Sequence, residues 1–239
     1  MGAATPSSAG DSGVGARGDQ RVLAGVRGAI LRGEVVPGQR LVEADLVEEF
    51  GVTRASVRTA LAGLAAEGLV ERVQNRGARV RVVTLDEAVA ISECRMVLEG
   101  LCAARAAQRA SRADVRELVT LRKRMRAAVA RGELLTYSDL NHHLHQRVLT
   151  IAAQPVAATL VDRLHGQIVR HQFRLALQPG RPRVSLPEHE RIVDAIAAAD
   201  PVAAEDAMRR HLASVVDALR ATARHGLAGP VTEDAEEAP

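Results

Sequence analysis

Phe50-Gly51-Val52-Thr53-Arg54-Ala55-Ser56-Val57-Arg58-Thr59-Ala60-Leu61 is the stretch on which the fold turns. Gly51 breaks a short amphipathic helix, Glu43 to Phe50, in which Leu46, Val47 and Phe50 share a face. Thr53 is placed to cap a new helix, because its hydroxyl can accept a free N–H of the first turn. That helix repeats apolar side chains at Val57, Leu61 and Leu64, and Gly68 is placed to end it. Upstream, Arg21 to Gly33 carries Val22, Val26, Ala29 and Ile30 at helical spacing, and Pro37-Gly38 makes a turn. Downstream, Leu69 to Val73 and Ala78 to Val82 alternate like two strands around a turn at Gln74-Asn75-Arg76-Gly77. Two short helices at a tight turn, followed by a two-stranded wing, describe a winged helix-turn-helix over residues 19–83.

Charge supports a nucleic-acid surface there. The chain of 239 residues has a net charge of only +3. Residues 51–84, however, hold Arg54, Arg58, Arg72, Arg76, Arg79 and Arg81 against Glu67 and Glu71. Residues 20–50 are slightly acidic by contrast. In this fold the helix from Thr53 lies in the major groove with its first residues at base edges. Arg54 and Arg58 are four apart, so both project from one face and can fork onto guanine. Thr53 and Ser56 can bond phosphate or base edges, and Arg76 at the wing tip can clamp phosphate or enter the minor groove.

From Thr84 onward the pattern is helical throughout. Capping and proline signals place helices at about 85–109, 112–131, 134–153, 155–178, 187–199 and 201–225. Ser185, Pro187 and Glu188 are read as opening the fifth of these. The fold class is therefore mainly α, a winged helix-turn-helix joined to an all-α bundle over residues 84–226. Composition marks 1–18 and the acidic 227–239 as unstructured. The apolar runs fall far short of the ~20 residues that span a bilayer, and no secretory signal is legible. Cys94 and Cys102 sit on one helical segment, ~12 Å apart at helical rise, too far for a mutual disulfide. These features predict a cytoplasmic protein without a membrane partner.

The helical half holds the candidate chemistry. On the helix from Leu134, Tyr137, Leu140, Leu144, Val148 and Ile151 form one face. Asn141 and His145 lie roughly 40° and 80° from its middle, whereas Asp139 and His143 fall beyond about 100°. The two pairs have the same spacing, and the apolar face selects Asn141 and His145. His189 shares a stripe with Ile192, Val193 and Ile196, and His211 with Met208 and Val215. Three helices thus point a histidine inward. Three imidazoles and an oxygen suit a divalent ion, Zn²⁺ first, with Ni²⁺ or Mn²⁺ as alternatives; three separately hydrogen-bonded core histidines are the other reading. Arg95 lies on the stripe of Ile91, Leu98 and Cys102, where it can seek an anion or pair with Glu99 one turn on. Arg170 and Arg174 flank His171, which continues the stripe of Leu164, Ile168 and Leu175, and all three are candidates to line a ligand pocket. His142 and His143 read as surface residues, and His165 is uninformative.

Four blocks resemble the GntR family of bacterial regulators in order and spacing. They are Ile30 to Leu41, Phe50 to Leu61, Glu67-Gly68-Leu69-Val70 and Asn75-Arg76-Gly77-Ala78. The resemblance implies that Thr53, Arg54, Ser56, Arg58, Arg76 and Gly77 contact operator DNA. Ser56 stands where many members have proline, and Ala44 where some have an arginine, so the bases read differ. Arg95-Met96-Val97-Leu98-Glu99, Asn141 to His145, Glu188 to Val193 and Met208 to Leu212 resemble the FCD domain, the helical effector domain of the FadR-type branch. This implies that Asn141, His145, His189 and His211 are metal ligands. Asn141 replaces the more common aspartate, which leaves a bound M²⁺ uncompensated and favours an anion in its open positions.

Together these readings predict a ligand-responsive regulator, a homodimer on a near-palindromic site in double-stranded DNA, acting as a repressor that senses a small carboxylate through a metal-centred pocket. The competing readings are a sensor of the metal alone and a metallohydrolase. The latter has no carboxylate clearly placed as a general base and leaves the DNA unit unexplained.

Overall fold

In the computed structural model, which describes residues 12–73 and 77–224, the chain divides between Val82 and Val83. The first unit contains helices α1 (Ser12–Leu31), α2 (Glu43–Phe50) and α3 (Arg54–Ala66) and strands β1 (Arg40–Leu41), β2 (Val70–Val73) and β3 (Gly77–Val80). Val22, Val26 and Ile30 of α1 are buried with Leu46 of α2, Val57, Leu61 and Leu64 of α3, and Val70, Ala78 and Val80 of the sheet. Gly51 follows α2 at φ 58°, a left-handed conformation that turns the chain sharply into α3. Thr53 caps α3 by accepting the Ser56 N–H.

The sheet is antiparallel in the order β1-β3-β2. Its register pairs Leu41 with Ala78 and Val70 with Val80, which puts apolar side chains on the helix-facing side. Arg79 then lies between Arg40 and Glu71 on the exposed side and ion-pairs with Glu71. The sequence reading contains only two strands, because β1 is two residues long and carries no alternation.

Residues 12–18 belong to α1, which corrects the reading of residues 1–18 as unstructured. Composition counts Gly18 against order. In the fold it is buried where a Cβ would stand 3.1 Å from Ser56 Oγ and 3.3 Å from Val52 Cγ1, so its missing side chain is what admits α3. Residues 1–11 and 227–239, also expected to be unstructured, and Arg76 in the wing turn lie outside the described residues.

The second unit consists of α4 (Leu85–Arg109), α5 (Arg112–Arg131), α6 (Leu134–Ala152), α7 (Pro155–Ala176), α8 (Arg181–Ala197) and α9 (Pro201–Arg224). Thr84 caps α4, and Ser111 with Asp114 forms a reciprocal capping box at α5. The alanines Ala88, Ala103, Ala106 and Ala107 are fully or nearly fully buried on α4, which packs against α6, α7, α8 and α9. Leu118, Met125, Leu144, Ile168, Ile192, Met208 and Leu212 complete a core shared by α5 to α9.

Helix α8 begins at Arg181, six residues before the expected start at Pro187. Pro182 occupies its first turn, where a missing N–H is harmless, and Pro187 is interior. The N–H that Pro187 lacks would have met the Arg183 carbonyl. Both residues are exposed, so solvent can serve that carbonyl and the helix runs on.

Candidate functional site

The exposed start of α3 carries the sequence-predicted DNA contacts. Thr53 and Arg54 are exposed, and Arg54 has no hydrogen bond or ion pair among the described residues. Arg58 is also exposed, but its Nε binds Glu43 on α2 at 2.9 and 3.1 Å. Glu43 thereby holds the guanidinium over the helix pair. Ser56 departs from expectation. It is 6% exposed, its hydroxyl lies 3.1 Å from Thr53 Oγ1, and it packs beneath Gly18, so it serves the cap and the helix contact instead of facing outward. Gly77 has φ 90°, and a Cβ there would run into the Leu41 carbonyl oxygen, so its glycine is required by the β1–β3 approach.

In the helical unit, His145 from α6, His189 from α8 and His211 from α9 converge, each with a ring nitrogen within 4.8 Å of the others. All three are buried. What each ring does with its other nitrogen fixes its chemistry. His145 Nδ1 donates to Glu99 Oε2 at 2.6 Å, and His211 Nδ1 donates to Glu188 Oε2 at 2.9 Å. His189 Nδ1 lies 3.1 Å from the Tyr137 hydroxyl. Ser185 Oγ gives its proton to the Arg181 carbonyl, so the Tyr137 hydroxyl, 2.7 Å away, donates to Ser185 and accepts from His189. Each Nδ1 is thus engaged by a partner outside the cluster, which leaves Nε2 as the nitrogen each ring has for the others. The Nε2 atoms of His145 and His189 are 3.4 Å apart, close to the roughly 3.3 Å that two bonds of 2.0–2.1 Å to one tetrahedral ion produce. Burial, and then neighbouring ring charge, hold His189 and His211 well below the usual histidine range, so these rings stay neutral.

Asn141 lies one turn before His145 and lines the same pocket. Its Oδ1 is buried with no hydrogen-bond partner. A hard oxygen without a donor, lining the same pocket as three imidazoles, fits a divalent cation. When bound, such an ion supplies a Lewis-acidic anchor for an oxygen ligand.

Arg95 makes the pair with Glu99 that the sequence offers as one of its two readings. Its Nε and Nη2 bind Glu99 at 2.8 and 2.6 Å, while Nη1 is buried without a partner on the pocket wall. Burial pushes the Glu99 carboxyl up, but Arg95 and His145 outweigh it and hold Glu99 below the usual carboxylate range. Tyr137 is pushed up to about 12, mainly by burial.

Three expectations for the pocket are corrected. Arg170 and Arg174 are exposed, and neither lines it. His171 points to the unit's first residue, its Nε2–H donating to the Val83 carbonyl at 2.8 Å. The face that α7 turns to the pocket instead carries Val161, His165, Gln172 and Leu175. His165, whose position carries no sequence signal, lines the pocket with His142, the two rings 4.9 Å apart. Burial, with Arg95 next, lowers His165 to about 3. Glu99, Glu188, Tyr137 and Arg181 complete the site without having been singled out for it. For Glu99 the signal is its position one turn after Arg95. Arg181 has none so long as its segment is read as loop.

Residues 19–80 match the profile of bacterial regulatory proteins of the gntR family, and residues 90–214 match that of the FCD domain. The HTH-type transcriptional regulator LutR of Bacillus subtilis is 31% identical over 220 residues, covering 80% of this chain and 95% of the relative. The HTH-type transcriptional repressor RspR of Escherichia coli is 26% identical over 202 residues, covering 84% and 89%. Among solved structures, E. coli McbR/YncC superposes with a TM-score of 0.73 at 19% identity, covering 86% of this chain and 98% of that one. A GntR regulator structure from Rhodococcus gives 0.63 at 24% identity, covering 85% and 97%. Among the described residues no helix is long and apolar enough to cross a membrane.

Proposed function

Because the chain belongs to the gntR family of bacterial regulatory proteins and carries an FCD domain, we propose that it is a homodimeric repressor whose helical unit takes up a divalent ion and a small carboxylate. The chain is a DNA-binding transcriptional regulator and not an enzyme, as its family dictates. Relatives named as repressors favour the sign of regulation.

The observation that carries the metal reading is the outward engagement of all three Nδ1 atoms by Glu99, Tyr137 and Glu188. It leaves three convergent Nε2 atoms, with Asn141 Oδ1 as the fourth donor. Zn²⁺, Ni²⁺ and Mn²⁺ all suit this set. The unpartnered Nη1 of Arg95 favours an organic acid over a response to metal alone, because that N–H needs an acceptor the protein does not provide. On the DNA side, Thr53, Arg54 and Arg58 at the start of α3 read the major groove of a half-site, with the wing at Gly77 beside them. Two-fold symmetry of the dimer then gives a near-palindromic operator in a cytoplasmic setting. A ligand shifts DNA occupancy only to the extent that it binds the DNA-competent and DNA-incompetent arrangements differently.

Elemental analysis and native mass spectrometry of the purified chain test this. The expected result is a dimer with a divalent ion in each subunit, lost in His189→Ala and His211→Ala. Metal-free protein whose carboxylate response survives both substitutions overturns the metal-centred pocket.

A further inference from the structure

Five histidines line the pocket of the helical unit, and only three of them belong to the cluster. The other two are His142 of α6 and His165 of α7, with rings 4.9 Å apart and tilted by 34°. The three pairs within the cluster stand 4.2, 5.2 and 5.5 Å apart, so this fourth pair has the same spacing. Two imidazoles on one tetrahedral ion, with bonds of 2.0–2.1 Å, bring their centres to roughly 5 Å. The cluster rings each engage Nδ1 with Glu99, Tyr137 or Glu188. His142 and His165 have no hydrogen bond or ion pair among the described residues, so their ring nitrogens are uncommitted. Burial, with Arg95 next, holds His165 at about 3, which leaves its ring neutral and able to donate a lone pair. Position adds a direction. His142 is exposed and His165 half-buried, whereas the cluster rings are 9% exposed or less. Asp139 stands three residues before His142, and Asp162 three before His165. Both carboxylates are exposed and act on His142, and neither has a cationic partner among the described residues.

We propose that His142 and His165 form a second divalent-cation site on the solvent side of the pocket, which captures the ion and passes it to the buried cluster. The destination of the ion rests on the metal reading above; the outer pair does not. Two protein ligands leave the ion's other positions to water, so the outer site holds it weakly and releases it. Stripping the hydration shell in two stages, first against an exposed and a half-buried ring and then against buried ones, divides a large desolvation cost. The negative charge of Asp139 and Asp162 draws cations toward the pair. Arg95, the cation that acts on His165, is balanced by its own partner Glu99.

Titration of the metal-stripped full-length chain with Co²⁺ tests the proposal, by calorimetry for stoichiometry and by stopped-flow fluorescence for loading. Tyr137 is the chain's one tyrosine, there is no tryptophan, and its hydroxyl meets His189, so its emission reports the inner site. The expected result is two ions per subunit. The second binds at least about a hundredfold more weakly, since it lacks two protein ligands and even a ligand's hydrogen-bond partner is worth about 10–100-fold. His142 is exposed, so His142→Gln does not threaten the fold. It should abolish the weak ion and slow the Tyr137 signal about tenfold, the lower end of what local enrichment gives. The tight ion should stay within about twofold, because its own ligands are untouched. His143→Gln, exposed and outside the pocket, should change neither reading. His189→Ala should lose the tight ion and keep the weak one. One ion per subunit in the wild-type protein, or a weak ion that survives both His142→Gln and His165→Gln, overturns the outer site. Loss of the weak ion with an unchanged loading rate overturns the transfer. A weak ion without a tight one overturns the metal-centred cluster and leaves the outer pair standing; no ion at all overturns both.

Discussion

Replacing Glu99 by glutamine is the sharpest test of how the buried Arg95–Glu99 pair is built. The substitution keeps the shape and removes one charge. Glu99 is 1% exposed and Arg95 3%, so the guanidinium would lose its counter-charge where solvent does not reach. Taking one partner from a buried ion pair costs about 3–5 kcal/mol. The amide oxygen can still accept one hydrogen bond, from Arg95 or from His145 Nδ1, which favours the lower end, about 3 kcal/mol. At a urea slope of about 2 kcal/mol per molar, the midpoint falls by about 1.5 M. The chain has one tyrosine and no tryptophan, and Tyr137 sits beside His189, so its fluorescence reports this unit alone. The acid limb carries a second signature. Glu99 is held below its ordinary value in the fold, so its stabilising effect is present above about 4.5 and is lost as pH falls below that through the folded value. Glu99→Gln should flatten that part of the pH–stability curve. A midpoint shift equivalent to less than about 1 kcal/mol at neutral pH would refute the reasoning, because it would mean that Arg95 finds an acceptor elsewhere or that water enters freely.

Other substitutions separate the remaining roles. Arg54→Ala should weaken operator binding by about 1–3 kcal/mol and binding to random DNA far less; equal losses in competition titrations would mark Arg54 as a phosphate anchor only. Gly77→Ala should destabilise the wing by about 2 kcal/mol or more, since φ 90° and the Leu41 carbonyl both oppose a side chain. Operator affinity should drop while the Tyr137 unfolding transition stays in place; unchanged affinity sinks the requirement. His165 is held near 3 in the fold against 6.5 unfolded, so the unfolded chain binds the extra proton and stability declines as pH falls from about 6.5 toward 3. The contribution is about 1.4 kcal/mol per pH unit, and His165→Gln should lose it, read as the difference in slope between the two proteins. Parallel slopes would show that His165 is solvated.

The DNA-reading unit is legible because its signals are local. Gly51, Thr53 and Gly68 act on their own turns, and the alternation of Val70 to Val73 needs only a neighbouring strand. Strand β1 is hidden for the opposite reason: Arg40 and Leu41 become a strand only by pairing with Arg79 and Ala78, far along the chain. The histidines follow the same rule. Their helix faces place His145, His189 and His211 inward, since the apolar stripe that buries a helix also buries what lies on it. Spacing within one helix says nothing of which partner meets Nδ1, so Glu188 and Tyr137 emerge only when α6, α8 and α9 pack together. The α7 stripe extrapolates wrongly to Arg170 and Arg174 because long arginines beside an apolar face can lean outward. His165, from the same helix, is carried inward by packing against His142.

The interior proline of α8 acquires meaning from what lies on either side of it. Before it come Arg181 and Ser185; after it come Glu188 and His189. A helix ordinarily resists flexing because each bend must stretch its ladder of backbone contacts, yet here one rung is absent from the start. Tilting the first turns about Pro187 strains one tie fewer, so the guanidinium end can shift while the imidazole end keeps its place. If the helical unit holds an ion and an acid as proposed, that single residue is the natural joint of the cage.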